Sequence, residues 1–417
     1  MLLKKDFLKI LIFLLFTTIL FFLIVTELIN PTVIPLIQNE ITYIFADWSV
    51  ILNANICQEK GYDVYVNNPC DQWHRAHVYG NILLQIPYIK YFPNFYFIYL
   101  PLILNLTFFY SIISFFTFKN KIEYFCLFFV AFSVPVILAI ERANIDIIIF
   151  LLVVLISKNR NVLINYLILI LSTISKFYPI SLVIIFLFEK KLKKVAINII
   201  VFLSIISVIL FLQSESLIKI FNNRNQFSGF GIYNFSFKGG LDFLFNFNIS
   251  TNNKDYNFIK YLYILLFLIA PIIVTTLLYS KNIFSNNSIS KLFKDNNFEN
   301  KLFILNSSLI IFCYFSFSNF IYREIFFLGL IPWLLNHRHL VKNEFINLFF
   351  YTLISKFFIS SFFTFLVVRN NLPDLKNLII LTKHCLDFYL MLIVFIVFLA
   401  AVKSILKYYF LQLPKNN

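Results

Sequence analysis

Long apolar stretches, separated by short polar ones, make up most of this chain. A helix needs roughly 20 apolar residues to cross a bilayer, and fewer when its ends lie in protein or among headgroups. The pattern predicts an all-α membrane protein, a polytopic bundle of about 12 transmembrane helices, with a range of about 10 to 13. The predicted spans are Leu8 to Ile29, Phe95 to Phe118, Ile122 to Ile140, Asp146 to Ser157, Val162 to Ser175, Tyr178 to Phe188, Val195 to Leu212, Phe258 to Tyr279, Leu302 to Phe320, Ile325 to Leu335, Phe345 to Val368 and Leu378 to Val402.

Polar segments interrupt the apolar pattern in two longer intervals, 30–94 and 213–257, and we expect both on the extracytoplasmic side. Within the first, Gly80 to Tyr91 is moderately apolar and predicts an interfacial helix. Three short turns, ERANID, SKFYP and IYRE, fall on the same side between spans shorter than a bilayer, so they should dip below its surface. With no repeat and no soluble segment, we expect one membrane domain over 1–417.

The composition excludes a soluble protein, because 60% of the 417 residues are hydrophobic and 13% are charged, whereas soluble domains are about a quarter charged. The net charge of +15 is spread over short Lys and Arg clusters between apolar runs. That distribution excludes a nucleic-acid partner and follows the positive-inside rule, which places both termini in the cytoplasm. The first apolar run has no small-residue cleavage site after it and predicts an anchor.

Ionisable residues at membrane depth are costly, so each is a candidate for function. Asp47 directly follows the first span and precedes Trp48, an aromatic residue suited to the headgroup level. A carboxylate held there by an apolar scaffold can act as a general base that takes a proton from a substrate hydroxyl. The alternative is a helix cap or a solvated loop acid.

The ERANID turn supplies a second set of candidates. Arg142 has the forked geometry to bind a lipid phosphate. It could equally pair with Glu141 or Asp146 as an internal strut, with Asn144 between them.

Two further turns offer cations. Lys176 lies between short apolar runs beside Tyr178 and Pro179, and the proline frees backbone groups that an anion could use; the alternative is a lysine that snorkels to the surface. In IYRE, Arg323 follows Tyr322 as another phosphate candidate, with Glu324 as its orienting partner or as half of a structural salt bridge.

The cysteines divide into two groups. Cys57 and Cys70 lie in the first outer interval, where an oxidising compartment permits a disulfide. A zinc site with His74 and His77 is the alternative, although the spacing matches no common zinc motif. Three others lie inside apolar runs and are interpreted as packing residues: Cys126, Cys313 and Cys385.

The order of these motifs resembles the polytopic glycosyltransferases of the GT-C class. An Asp in the first outer loop is followed by GYDVY, ERANID, KFYP and finally YRE. Within the class, the chain is most similar to the polyprenyl-phosphate-mannose-dependent α-mannosyltransferase family. It departs from that pattern in NNPCD and in AHVYGNILLQIPY, which stands where a Tyr-Pro-Pro segment is expected.

The resemblance implies transfer of a hexose, such as mannose, from a polyprenyl-phosphate donor to a glycan or glycolipid acceptor. Asp47 would be the base, and Arg142, Lys176 and Arg323 would hold the donor phosphate. Glu141, Asn144, Asp146, Tyr178, Tyr322 and Glu324 would support them. No cofactor is required, although a divalent cation could assist. The expected location is the bacterial cytoplasmic membrane with the site facing outward. A polytopic transporter or lipid flippase is the alternative from another class, since it too would bury charges near broken helices.

Overall fold

The chain is helical in the parts that the structure, a computed structural model, describes. These are residues 7, 9–15, 17–18, 45–116, 118–119, 121–189, 191–224, 233–246, 292–293, 295–316, 319–340, 344–369 and 373–412. Within these ranges no strand is present, and the β-type contact that occurs is an isolated bridge between Asn234 and Phe320. The prediction of an all-α protein is confirmed.

The described α-helices are numbered in chain order. They are α1 (Ala46–Glu59), α2 (Leu100–Phe115), α3 (Lys121–Ala131), α4 (Val134–Arg142), α5 (Ile145–Lys158), α6 (Val162–Ser175), α7 (Leu192–Leu212), α8 (Ser214–Arg224), α9 (Phe237–Asn246), α10 (Phe298–Ser316), α11 (Ile331–Leu340), α12 (Glu344–Arg369) and α13 (Pro373–Gln412). Tighter 3-10 segments run over Asn81–Leu84, Tyr178–Phe188 and Ile321–Leu330, and a π-helical turn, Phe95–Tyr99, leads into α2.

Where the sequence predicts one membrane domain, the contacts within the chain define two compact units. Unit 1 comprises Met1–Ile180 and Phe202–Phe227, and unit 2 comprises Ser181–Val201 and Ser228–Asn417.

Four described helical stretches are long and apolar enough to cross a membrane: Phe95–Phe115, Leu192–Leu212, Glu344–Thr364 and Leu375–Lys407. Helices α3 and α4, bent by 49°, would make a fifth if they form one broken span. Along α7, Phe211 and Leu212 expose more than three-quarters of their surface, which suits contact with lipid. The chain is a membrane-embedded helical protein. The larger number of spans stays a prediction, since Phe258 to Tyr279 and most of Leu8 to Ile29 lie outside the described residues.

Several predicted boundaries differ from the structure, and proline accounts for two of them. The span Ile122 to Ile140 is divided into α3 and α4, because Pro135 lies in the first turn of α4 and cannot donate a backbone hydrogen bond to α3. Tyr178 to Phe188, whose second residue is Pro179, is a 3-10 helix instead of an α-helical span. By contrast, Val162–Ser175 has the predicted bounds.

In the first outer interval, Asp47 belongs to the first turn of a helix, α1. One prediction for this interval is wrong. The interfacial helix predicted over Gly80 to Tyr91 is reduced to Asn81–Leu84. The Asn55 side chain donates to the carbonyl oxygen of Leu83 and accepts from the amide of Ile86, so these backbone groups bind α1 instead of continuing a helix. In the second interval, the described residues include α8 and α9.

A glycine allows the first loop, residues 60–94, to approach α6. The Gly80 amide donates to the carbonyl oxygen of Ser175 at 3.0 Å. A Cβ atom at this position would lie 1.5 Å from the carbonyl oxygen of Ile174, so a larger residue would push the loop away. The close approach brings the Tyr79 ring within 5.4 Å of the Lys176 Nζ.

The disulfide between Cys57 and Cys70 closes the loop against the end of α1 and confirms the predicted pairing. Because the two sulfurs are bonded to each other, neither cysteine can supply a thiolate ligand to the zinc site that was the alternative. The other three cysteines are free and buried, as predicted.

We expect the Cys57→Ala, Cys70→Ala double variant to lose about 3 kcal/mol of stability, because a cross-link over a short loop restricts the unfolded chain. The melting temperature of the purified protein in detergent measures this loss. Reductant should lower the melting temperature of the parent protein and leave that of the double variant unchanged. Equal sensitivity of the two proteins to reductant would contradict the role of the disulfide, and Cys126→Ala serves as the control.

Candidate functional site

Asp47 lies at the centre of the polar contacts in unit 1. Its Oδ1 atom accepts from Arg142 Nη1 at 3.1 Å and from Arg75 Nη1 at 3.3 Å. Its Oδ2 atom accepts from Asn144 Nδ2 at 2.7 Å. These partners come from the end of α4, the first loop and the N-cap of α5, so three separate parts of the sequence converge on one carboxylate.

The local backbone explains how these parts meet. Phe45 adopts a left-handed conformation with φ of 60° just before α1, and its amide donates to the carbonyl oxygen of Glu141 at 2.8 Å. Ala143, with φ of 42°, ends α4, and Asn144 then caps α5 by accepting from the amide of Asp146. The start of α1 is thereby fixed against the ERANID turn.

As a whole residue, Asp47 is only 8% exposed. Burial by itself raises its pKa, but the guanidiniums of Arg142 and Arg75 and the hydrogen bond from Asn144 together outweigh burial, and the pKa lies below its usual value. Asp47 is therefore an anion at neutral pH. Because Asp47 is buried in a helix, it is not a solvated acid in a loop. Its position in the first turn of α1 also places it where the helix dipole favours a negative charge.

Arg75 and Asp71 were not predicted. Asp71 is buried and accepts from Arg75 through both carboxylate oxygens, at 3.0 and 3.1 Å. The sequence does contain an Asp and an Arg four positions apart in DQWHR. Polar residues are common in outer loops, however, so this spacing alone does not indicate a site.

The structure shows the partners of Arg142 and Lys176. Arg142 donates to Asp47, a partner that neither alternative had named. Lys176 does not snorkel to the surface, because it is 5% exposed and forms an ion pair with Asp146. Tyr178 also donates to Asp146, at 2.7 Å.

Asn144 connects the two groups of charges. Its Nδ2 atom donates to Asp47, and its Oδ1 atom accepts from Lys176 Nζ at 3.4 Å. Six charged side chains are thus held together in unit 1, three carboxylates and three cations, with Glu141 beside Arg142 as a further acid. We call them the Asp47 cluster: Asp47, Asp71, Asp146, Arg75, Arg142 and Lys176.

The remaining predicted site residues, Tyr322, Arg323 and Glu324, belong to unit 2. They lie in the first turn of the 3-10 segment Ile321–Leu330, and Arg323 and Glu324 are both buried. Glu324 accepts from Lys356 Nζ at 2.9 Å and lies 3.7 Å from Lys383 Nζ. Glu324 therefore forms its salt bridges with Lys356 and Lys383, two residues that were not predicted to belong to a site.

Lys356 and Lys383 share a second carboxylate, Asp387. Lys383 Nζ lies 2.8 Å from it, and Lys356 also pairs with it. We call these four residues the Glu324 ring: Glu324, Lys356, Lys383 and Asp387. The signal that could have found the ring was present, since three of its members are charged residues inside predicted spans.

Compared with known proteins, the chain matches no protein-family model, no curated protein and no solved structure.

Proposed function

We propose that this protein is a membrane glycosyltransferase of the GT-C type with about 12 spans. It would move a hexose, such as mannose, from a polyprenyl-phosphate donor to a glycan or glycolipid acceptor at the extracytoplasmic face. The observation that carries the proposal is the buried Asp47 carboxylate held by Arg142, Arg75 and Asn144.

The proposed reaction is a single displacement. Asp47 takes the proton of the acceptor hydroxyl as its oxygen bonds to the anomeric carbon of the sugar. The bond from that carbon to the phosphate oxygen breaks, and the electron pair leaves with the phosphate. Attack from the face opposite the phosphate inverts the configuration, and the chemistry requires no nucleotide site or metal.

The charge balance of the Asp47 cluster suits this reaction. The six members of the cluster, three carboxylates and three cations, sum to zero without the neighbouring Glu141. The donor, a phosphodiester, carries one negative charge, and the departing polyprenyl phosphate carries two. Protonation of Asp47 would leave the cluster with one positive charge as the phosphate gains its second negative one. Charge that is already positioned where it is needed in the transition state is a principal source of catalysis.

Arg142 and Lys176 are the proposed ligands of the donor phosphate, and both belong to unit 1. A guanidinium can hold two phosphate oxygens at once, while an ammonium acts as a point charge. Each of these two cations pairs with a carboxylate in the structure, Arg142 with Asp47 and Lys176 with Asp146.

A second candidate function, a polytopic transporter or lipid flippase, is favoured by the Glu324 ring. Lys356, Lys383 and Asp387 lie within two of the candidate spans. Ionisable residues in such segments often mark an ion or substrate path.

We expect Asp47→Asn to reduce sugar transfer by about 100-fold or more, because a general base contributes at least this factor. Membranes that contain the protein would be assayed with radiolabelled polyprenyl-phosphate sugars and the labelled product identified. Glu59→Gln, which alters an exposed acid on the same helix, is the matched control. Unchanged transfer by Asp47→Asn would exclude Asp47 as the base.

Arg142→Lys keeps the charge and loses the fork, so we expect the KM for the donor to rise by about tenfold with a smaller change in kcat. Initial rates over a range of donor concentrations measure both constants. A KM equal to that of the parent protein would remove Arg142 from the donor site.

Lys356→Met should destabilise the protein by about 3–5 kcal/mol, because it leaves two buried carboxylates with one lysine. Adding Glu324→Gln leaves Lys383 with Asp387 and should restore most of the melting temperature.

If the ring is structural, this double variant keeps sugar transfer. Loss of lipid-linked sugar flux across vesicles by the stable double variant would instead support the transporter, and Lys403→Met, at an exposed lysine of α13, is the control.

A further inference from the structure

Arg75 is more firmly held than its position in a loop suggests. Its Nη1 atom donates to Asp47, and its Nη2 atom donates to the carbonyl oxygen of Ala46 at 2.9 Å. Its Nε and Nη2 atoms donate to Asp71. The guanidinium carbon lies 4.4 Å from the centre of the Trp73 ring. Three sides and one face of the guanidinium are thus in contact with the protein.

Asp71 fixes this arrangement. Its side chain is 3% exposed, and its Oδ2 atom also accepts from the amides of Trp73 and Arg75 at 3.2 and 3.1 Å. The carboxylate therefore organises its own turn and presents Arg75 to Asp47. A substrate anion would have to break several of these bonds to withdraw Arg75.

We infer that Arg75 is a positioning residue that keeps Asp47 oriented and ionised while Arg142 engages the donor phosphate. The inference rests on the proposed function for the role of Arg142. Arg75 acts through Asp47 and is not proposed to contact the sugar or the phosphate.

The geometry supplies the reason. Both guanidiniums meet the same oxygen, Oδ1 of Asp47. When Arg142 binds a phosphate, its interaction with Asp47 weakens. A carboxylate paired with Arg142 alone would then lose most of its electrostatic stabilisation. With Arg75 committed to Asp71 and Ala46, Asp47 keeps a second cation and stays available as a base.

Other charged groups also face Asp47 and belong to the same balance. Arg142 and Glu141 come from α4, and Lys176 comes from the segment after α6. Two further carboxylates act through these cations, since Asp146 of α5 pairs with Lys176 and Asp71 of the first loop pairs with Arg75. A substitution at Arg75 keeps the charges of Arg142, Glu141 and Lys176, while Asp71 loses its guanidinium partner and keeps the backbone amides of residues 73 and 75.

The test is the pH dependence of sugar transfer. A base must be deprotonated to act, and removal of a neighbouring cation raises the pKa of a carboxyl group. Arg75→Gln should therefore move the acidic limb of the rate profile to higher pH by about one unit. Arg75→Lys keeps the charge and should leave the limb near that of the parent protein. Arg160→Gln, at an exposed arginine of the same unit, should have no effect.

Arg75→Met is a second neutral variant that retains an apolar stem against Trp73, in case Arg75→Gln does not fold. A lower rate with an unmoved acidic limb in a folded neutral variant would overturn the inference and leave Arg75 a purely structural residue.

A second measurement does not depend on activity. Infrared titration of the carboxyl stretch, with Asp47→Asn as the blank, reports the protonation of Asp47 directly. If no form of the protein transfers sugar, the proposed function fails, yet a raised titration midpoint in Arg75→Gln would still support the action of Arg75 on Asp47. A midpoint equal to that of the parent protein would overturn it.

Discussion

Burial of the Asp47 carboxylate is the constraint on which the structure of unit 1 depends. An ion taken out of water loses several kcal/mol of solvation unless charged and hydrogen-bonded partners replace the water. Here the partners lie 28, 95 and 97 positions along the chain from Asp47. The first loop, α4 and α5 must therefore all reach their places before this carboxylate is satisfied, and the disulfide and Gly80 hold the loop where Arg75 can contribute.

Unit 2 meets the same physical demand in a different way. In the Glu324 ring every side chain is at most 3% exposed, and each lysine faces both carboxylates. Around Asp47 itself, the exposed fraction of the side chain increases from 10% at Asp47 to 16% at Arg142 and 30% at Arg75. A closed, neutral ring suits a structural role, while a graded opening suits a site that admits a ligand.

The cost of burying charge allowed much of the Asp47 cluster to be predicted. Asp47, Arg142 and Lys176 stood out because each interrupts apolar sequence, and α6 was predicted with its observed ends. The features that could not be predicted depend on tertiary contacts. The start of α1 is fixed because Phe45 is bonded to the ERANID turn, and the helix predicted over Gly80 to Tyr91 is reduced to Asn81–Leu84 because Asn55 binds the backbone there. Asp71 and Arg75 could not be predicted, because charged residues are common in loops. Only their contacts with each other and with Asp47 identify them as part of the cluster.

The Glu324 ring also bears on how the chain enters a membrane during synthesis. A lone lysine or aspartate near the centre of a span costs about 3 kcal/mol at insertion. In helix α13, Lys383 and Asp387 are four positions apart and form an ion pair within the helix. The charge of Lys383 is therefore compensated by the same helix when α13 enters the membrane. Lys356 of α12 has no carboxylate at this spacing; within its own helix it donates to Ser360, and its carboxylate partners Glu324 and Asp387 lie outside α12. The charge of Lys356 is therefore compensated only when the segments that carry these carboxylates, α13 among them, lie beside α12.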